Sequence, residues 1–348
     1  MSGMTGVAER VEDLTPAWLS QALGYEVRSV GAERVGTGQT GTTYRLAIEA
    51  GEGPPTLVAK LASLDETARS RVAVGYQREV GFYAHVVDTV DVRTPRCWYA
   101  AIAEDGVAFT LLLDDLAPLT PGVQADGCSV AQAADAVGNL AALHAPRWGD
   151  DALFDLDFVD RPTEAGAAFL GDVTRSATDE FVRRYAADLD PADVVSLRAV
   201  AEAIPGWMVA RPEPFAVVHG DYRLDNLLFP PEGDGVVAVD WQTLTVAPPG
   251  RDLAYFLGTS LRTEDRRAAE RDLVARYHAA LVMRGVEGYD LDRCFDDYRL
   301  GQLQGPMITT LGWAYASGEK GEAADRMFLA MARRSCAAIR DLDSLDGL

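Results

Sequence analysis

Tyr44, Leu46 and Ile48 alternate with Arg45, Ala47 and Glu49, the period-two pattern of a strand buried on one face. Residues 27–61 read as β throughout, with a further strand at 56–61. Residues 97–113 return to β and end in the apolar run 109–113. A helix opened by Thr15 and Pro16 precedes this β region. Another is predicted at 65–87, because Val72, Tyr76, Glu79, Tyr83 and Val86 recur at helical spacing and share one face. Past residue 114 the pattern becomes helical, with helices predicted at 131–143, 175–187, 192–203, 264–284, 291–316 and 322–341. A short β-rich island over 215–241 interrupts them. These elements predict an α+β architecture: a small β-rich N-lobe (1–113), a hinge (114–116) and a larger helical C-lobe (117–348), with a cleft expected between the lobes.

The chain has 348 residues, enough for a two-lobed enzyme, and ordinary globular composition at 48% hydrophobic and 24% charged. Its net charge of −21 excludes nucleic acid as an expected partner and disfavours an anionic membrane surface. No apolar run approaches the ~18 residues of a membrane span. The N-terminus lacks the basic start and apolar stretch of a signal peptide. Cys97, Cys128, Cys294 and Cys336 lie far apart with no C-x-x-C pair, so a reduced, cytoplasmic setting is expected. The acidic excess falls beyond residue 113, where 22 basic residues face 39 acidic ones. Of the 32 basic residues, only Lys60 and Lys320 are lysines, which makes each of them informative.

Gly36, Gly38 and Gly41 form G-x-G-x-x-G, a pattern that alone fits an ordinary hairpin turn. A dinucleotide fold would need a helix after the glycines; here a strand follows, as in a flap whose backbone amides cover phosphates. Lys60 closes the strand 56–60. A lysine there can simply reach water, but its compact ammonium can also sit on two phosphates. Glu79 lies in the apolar stripe of helix 65–87. Facing the protein, it needs a cation, and Lys60 is the candidate; at the stripe's edge it would be solvated.

The most informative run is 217–229, VVHGDYRLDNLLF, in which apolar residues bracket a turn carrying His219, Asp221, Asp225 and Asn226. A strand at 236–239 then delivers Asp240. Oxygen side chains on a short β island suit a hard cation. His219 has no spaced Cys or His partner for zinc and reads as a histidine bonding the loop backbone.

H-G-D-x-x-x-x-N followed by D-W-Q resembles the aminoglycoside phosphotransferase superfamily, the protein-kinase-like small-molecule kinases. With GRDLAYFL at 250–257, it looks most like bacterial members allied to the ecdysteroid kinase-like and choline kinase-like groups. The resemblance covers roughly residues 30–260. It implies ATP and Mg²⁺ as cofactors, with Gly36, Gly38 and Gly41 in the phosphate flap, Lys60 on the α- and β-phosphates and Glu79 holding Lys60. The hinge, including Asp114 and Leu116, would pair through its backbone with adenine. Asp221 would be the catalytic residue, with Asn226 and Asp240 on the metal and Asp252 a buttress of the catalytic loop. Asp225 reads as a loop-stabilising side chain. Gly220 stands where protein kinases carry Arg, and no D-F-G or A-P-E segment is present, which argues against a protein kinase.

The expected activity is therefore ATP-dependent phosphorylation of a hydroxyl on a small molecule, a metabolite alcohol or an antibiotic-like compound. A nucleotide-binding pseudokinase is the alternative, and a metal-dependent hydrolase on His219, Asp221 and Asp240 leaves the glycine loop and Lys60 unexplained. The C-terminal helices are the expected wall for the acceptor, and the acidic second lobe would favour a cationic one. The sequence does not specify the acceptor, a choice between ATP and GTP, or the oligomeric state.

Overall fold

Thr15 caps the first helix: its hydroxyl accepts the Trp18 amide, Pro16 occupies the first turn, and Gly24 ends the helix in left-handed backbone at φ 80°. This helix, α1 (Pro16–Leu23), leads into β1 (Val27–Val35), β2 (Gly41–Ala50) and β3 (Thr56–Ala62). The computed structural model describes residues 6–36, 41–316 and 321–347. Gly38 of the glycine loop, and Lys320, therefore lie outside the described residues. Helix α2 (Glu66–Gly81) continues through a π-helical turn, Phe82–Val86, and is followed by β4 (Cys97–Ile102) and β5 (Phe109–Asp114).

The five strands make one antiparallel sheet in the order β1-β2-β3-β5-β4. Leu57, Ala59 and Leu61 of β3 are buried with Leu46, Ile48, Leu112 and Leu19 of α1. Lys60 alternates with them and so faces the other side of the sheet. There α2 packs, with the Tyr76 and Phe109 rings 4.6 Å apart. Tyr76, Glu79, Tyr83 and Val86 are all buried, as one helical face requires, and Val72 is half-buried.

After β6 (Thr120–Pro121) the chain is mainly helical. Ser129 and Gln132 form a reciprocal cap that opens α3 (Val130–His144). Then come α4 (Glu164–Arg184), α5 (Pro191–Ala210), and the short strands β7 (Ala216–Val218), β8 (Leu227–Phe229), β9 (Val237–Ala238) and β10 (Thr245–Ala247). The last elements are α6 (Gly250–Ser260), α7 (Thr263–Met283), α8 (Leu291–Gly301), α9 (Gln304–Tyr315) and α10 (Glu322–Asp341). The strands pair as β10-β7 and β6-β8-β9.

Two helical expectations need correction, and one helix goes unanticipated. The segment expected at 175–187 is the later part of α4, which begins at Glu164 under a Thr163 cap. The helix expected over 291–316 is two helices, because Gly301 packs against the Gly250 carbonyl and Pro306 cannot donate a backbone hydrogen bond. Helix α6 was not predicted.

The contacts divide the chain into two compact units. One holds the described residues through Asp88 with Thr94–Pro118 and Asp240–Thr243; the other holds Thr89–Arg93, Leu119–Val239 and the rest from Leu244. No described helix is long and apolar enough to cross a membrane.

Candidate active site

Within the first unit, Lys60 Nζ donates to Glu79 Oε1 at 2.6 Å and to Asp240 Oδ1 at 3.4 Å. Glu79 is fully buried, whereas 41% of the Asp240 side chain is exposed. Burial works against the Lys60 charge, but Asp240 and Glu79 outweigh it and hold its pKa above the usual lysine value. Burial pushes the Glu79 carboxyl up, and the Lys60 charge opposes this. Gln242 Nε2 donates to the other Glu79 oxygen at 3.3 Å. Trp241, fully buried, stacks on Phe82 at 3.7 Å. Asp240, Trp241 and Gln242 are thus bound to α2 and β3.

Asp240 has left-handed backbone at φ 69°. That conformation costs an L-residue about 1–2 kcal/mol, least for Asn and Asp. Gly36 also has positive φ, at 73°. At Gly41 a Cβ would lie 2.6 Å from the Leu61 carbonyl, so only glycine lets β2 begin there against β3. Asp114 spends its amide on the Arg96 carbonyl at 2.9 Å and its carboxylate on Trp98 Nε1 at 2.6 Å. Leu116, just past β5, is half-buried.

Within the second unit, strand β7 ends in the turn His219–Asn226. Asp252, fully buried on α6, accepts the His219 amide at 2.6 Å and the Gly220 amide at 2.9 Å. Gly220 turns with φ 81°, open to glycine without strain. His219 Nε2 bonds the Val239 carbonyl at 3.1 Å, and its Nδ1 accepts the Asp221 amide at 3.3 Å. Histidine here ties the loop together. Asp225 Oδ1 accepts the Gln124 amide at 3.1 Å, while Gln124 Oε1 accepts the Leu224 amide at 2.9 Å. Asp225 is spent on the loop.

Asp221 keeps 22% of its side chain exposed and Asp225 34%. Asn226 Nδ2 donates to the Asp221 backbone carbonyl at 2.9 Å and to Asp221 Oδ2 at 3.0 Å. That leaves Asn226 Oδ1 as the end of the amide able to meet a cation. Two contacts on Asp221 escaped the sequence reading: Tyr255 Oη donates to Oδ1 at 2.7 Å and Arg223 Nε to Oδ2 at 3.1 Å. Tyr255 reads as one more apolar residue in AYFL. Its spacing of one helical turn from Asp252 was the available signal.

Asp252→Asn would set an NH₂ against one of two buried amides. We expect this change to lower unfolding free energy by about 2–4 kcal/mol, measured by denaturant titration.

A family model for the phosphotransferase enzyme family matches residues 31–291, and the chain belongs to that family. Acyl-CoA dehydrogenase family member 10 of Mus musculus is 36% identical over 89 residues, 24% of this chain and only 8% of that protein's length. Choline kinase from Cryptosporidium parvum Iowa II matches with TM-score 0.60 at 12% identity, over 96% of this chain and 94% of its own. The GDP complex of wild-type aminoglycoside 2′-phosphotransferase-IIIa matches with TM-score 0.54 at 14% identity, over 91% and 95%. At such identities the likeness is one of fold, the protein-kinase-like α+β fold.

Among the described residues, no group of three or more His, Cys, Asp or Glu is arranged to hold a metal ion. The Asp240 carboxylate, and separately the Asn226 amide oxygen, are donor types that a hard cation accepts.

Proposed function

We propose that this chain is an ATP-dependent phosphotransferase that moves the γ-phosphoryl group to a hydroxyl of a small molecule. The observation that carries this reading is the ammonium of Lys60, tied on one side to buried Glu79 and on the other to exposed Asp240. Glu79 fixes the lysine; Asp240 is a replaceable partner. On nucleotide binding, Lys60 would take the α- and β-phosphates, under the loop of Gly36, Gly38 and Gly41. The backbone of Asp114 and Leu116 would pair with adenine. Asp240 and Asn226 would hold Mg²⁺, which neutralises charge as the phosphoryl group moves. Asp221 would orient the acceptor hydroxyl and accept its proton.

The N-terminal part thus serves the nucleotide, and the loop 217–229 with the C-terminal helices serves the acceptor. The net charge beyond residue 113 supports a cationic acceptor, an amino alcohol or an aminoglycoside. Choline and kanamycin-type compounds belong in the first panel. The four cysteines are free, which suits a reducing, cytoplasmic setting.

The test is a thermal-unfolding series with MgATP and MgGTP, followed by ADP release across a panel of alcohols. Saturating nucleotide should stabilise by about 2.7 kcal/mol at 100 times Kd, read as a rise in Tm. One acceptor should accelerate ADP release, chelator should abolish it, and Mg²⁺ should restore it. A Tm shift without turnover would make the chain a nucleotide-binding regulator. Neither shift nor turnover would refute the reading.

A further inference from the structure

Helix α6 grips the catalytic loop twice from one face. Asp252 takes the backbone amides of His219 and Gly220, and Tyr255, one turn on, reaches the side chain of Asp221. A carboxylate has about four lone-pair positions, two on each oxygen. Oδ2 of Asp221 receives Arg223 Nε at 3.1 Å and Asn226 Nδ2 at 3.0 Å, which fills it. Oδ1 receives Tyr255 Oη at 2.7 Å, which fills one of its two.

The donors are themselves fixed. Arg223 is shared with Asp225 Oδ2 and Met327 Sδ, both at 3.0 Å, so it does not swing freely. Tyr255 is fully buried on α6. Burial, and then the charge of Asp221, push its phenol well above the usual tyrosine range, so it stays a donor.

We propose that Tyr255 is a positioning residue that clamps Asp221 so that, among the described residues, a single lone pair stays open, making Oδ1 the atom that takes the acceptor's proton. The assignment rests on the phosphotransfer reading above and adds the atom and its holder. In the step, the acceptor O–H bond breaks and its proton passes to Asp221 Oδ1. The acceptor oxygen forms a bond to the γ-phosphorus while the bond from that phosphorus to the β-bridging oxygen breaks, releasing ADP. Tyr255 keeps its own proton throughout.

Tyr255→Phe keeps the ring and removes the donor. With water as the acceptor and MgATP as substrate, ATP hydrolysis should fall about tenfold in kcat, the weight of one hydrogen bond to a charged group, with KM for MgATP unchanged. In an Asp221→Asn background the same change should cost nothing further. The cycle repeated on unfolding equilibria should show coupling of about tenfold between the two positions. Equal losses of kcat in both backgrounds, no loss in either, or no coupling in unfolding would overturn the proposal. Coupling in unfolding with neither ATP hydrolysis nor acceptor-dependent ADP release by the parent chain would instead refute the phosphotransfer reading, and with it the role of Oδ1, leaving only the Tyr255–Asp221 tie.

Discussion

Asp221→Asn is expected to lower kcat by at least about 10²-fold while MgATP affinity stays near its parent value. The amide keeps the shape of the side chain and can still accept Tyr255 or Asn226 on its carbonyl oxygen. It cannot take a proton from the acceptor, and its NH₂ faces at least one donor now bonded to the carboxylate, Tyr255 Oη or the Arg223 and Asn226 nitrogens. Asp225→Asn is the control, because Asp225 holds the Gln124 amide and Arg223 and has its work in the loop. Steady-state kinetics with the accepted alcohol separates the two. Normal turnover by Asp221→Asn alongside a crippled Asp225→Asn would reverse the assignment of the base.

The other large effect is expected at Lys60. Lys60→Ala removes the basic side chain bonded to Glu79, a carboxylate with no exposure. Breaking a buried pair on one side costs about 3–5 kcal/mol, so this variant should lose stability as well as activity. Lys60→Met combined with Glu79→Gln separates the two losses. The pair becomes neutral, the new amide can still bond Gln242, and most of the stability should return. Catalysis should remain about 10²–10³-fold down, the scale for loss of one donor to a charged transition state. Denaturant unfolding and kcat/KM on both variants provide the check; recovery of activity with stability would show that Lys60 serves only Glu79.

Both parts of the candidate site are legible in the sequence, for physical reasons. Glu79 stood out because a carboxylate interrupted an apolar stripe at helical spacing, and Lys60 because arginine fills nearly every other basic position. Loop 217–229 was legible because its polar residues are packed between two apolar runs. Helix α6 was not, since every one of its residues is buried. In a helix buried on all sides the polar residues face protein as well, so polarity does not mark an outer side and eleven residues give few turns to read. Tyr255 was hidden for the same reason. The break between α8 and α9 depends on Gly301 meeting Gly250, a contact between residues far apart in sequence. Asp240 is legible in the sequence as a candidate oxygen donor, but its bond to Lys60 spans 180 residues and no local pattern records it.

Trp241 on Phe82 and Gln242 on Glu79 also bear on how the protein must be made. The segment Asp240–Thr243 belongs to the N-terminal unit, yet the ribosome delivers it only after most of the chain. Until then Phe82 lacks the ring that covers it, and Glu79 lacks its second hydrogen bond. A nascent chain that has completed β5 therefore carries an unfinished core for the whole time it takes to synthesise the intervening helices. A fragment ending at Pro118 would hold that unfinished state permanently, as an exposed apolar patch beside a half-partnered buried carboxylate. The N-terminal unit of this protein is an assembly of distant chain segments and not a detachable module.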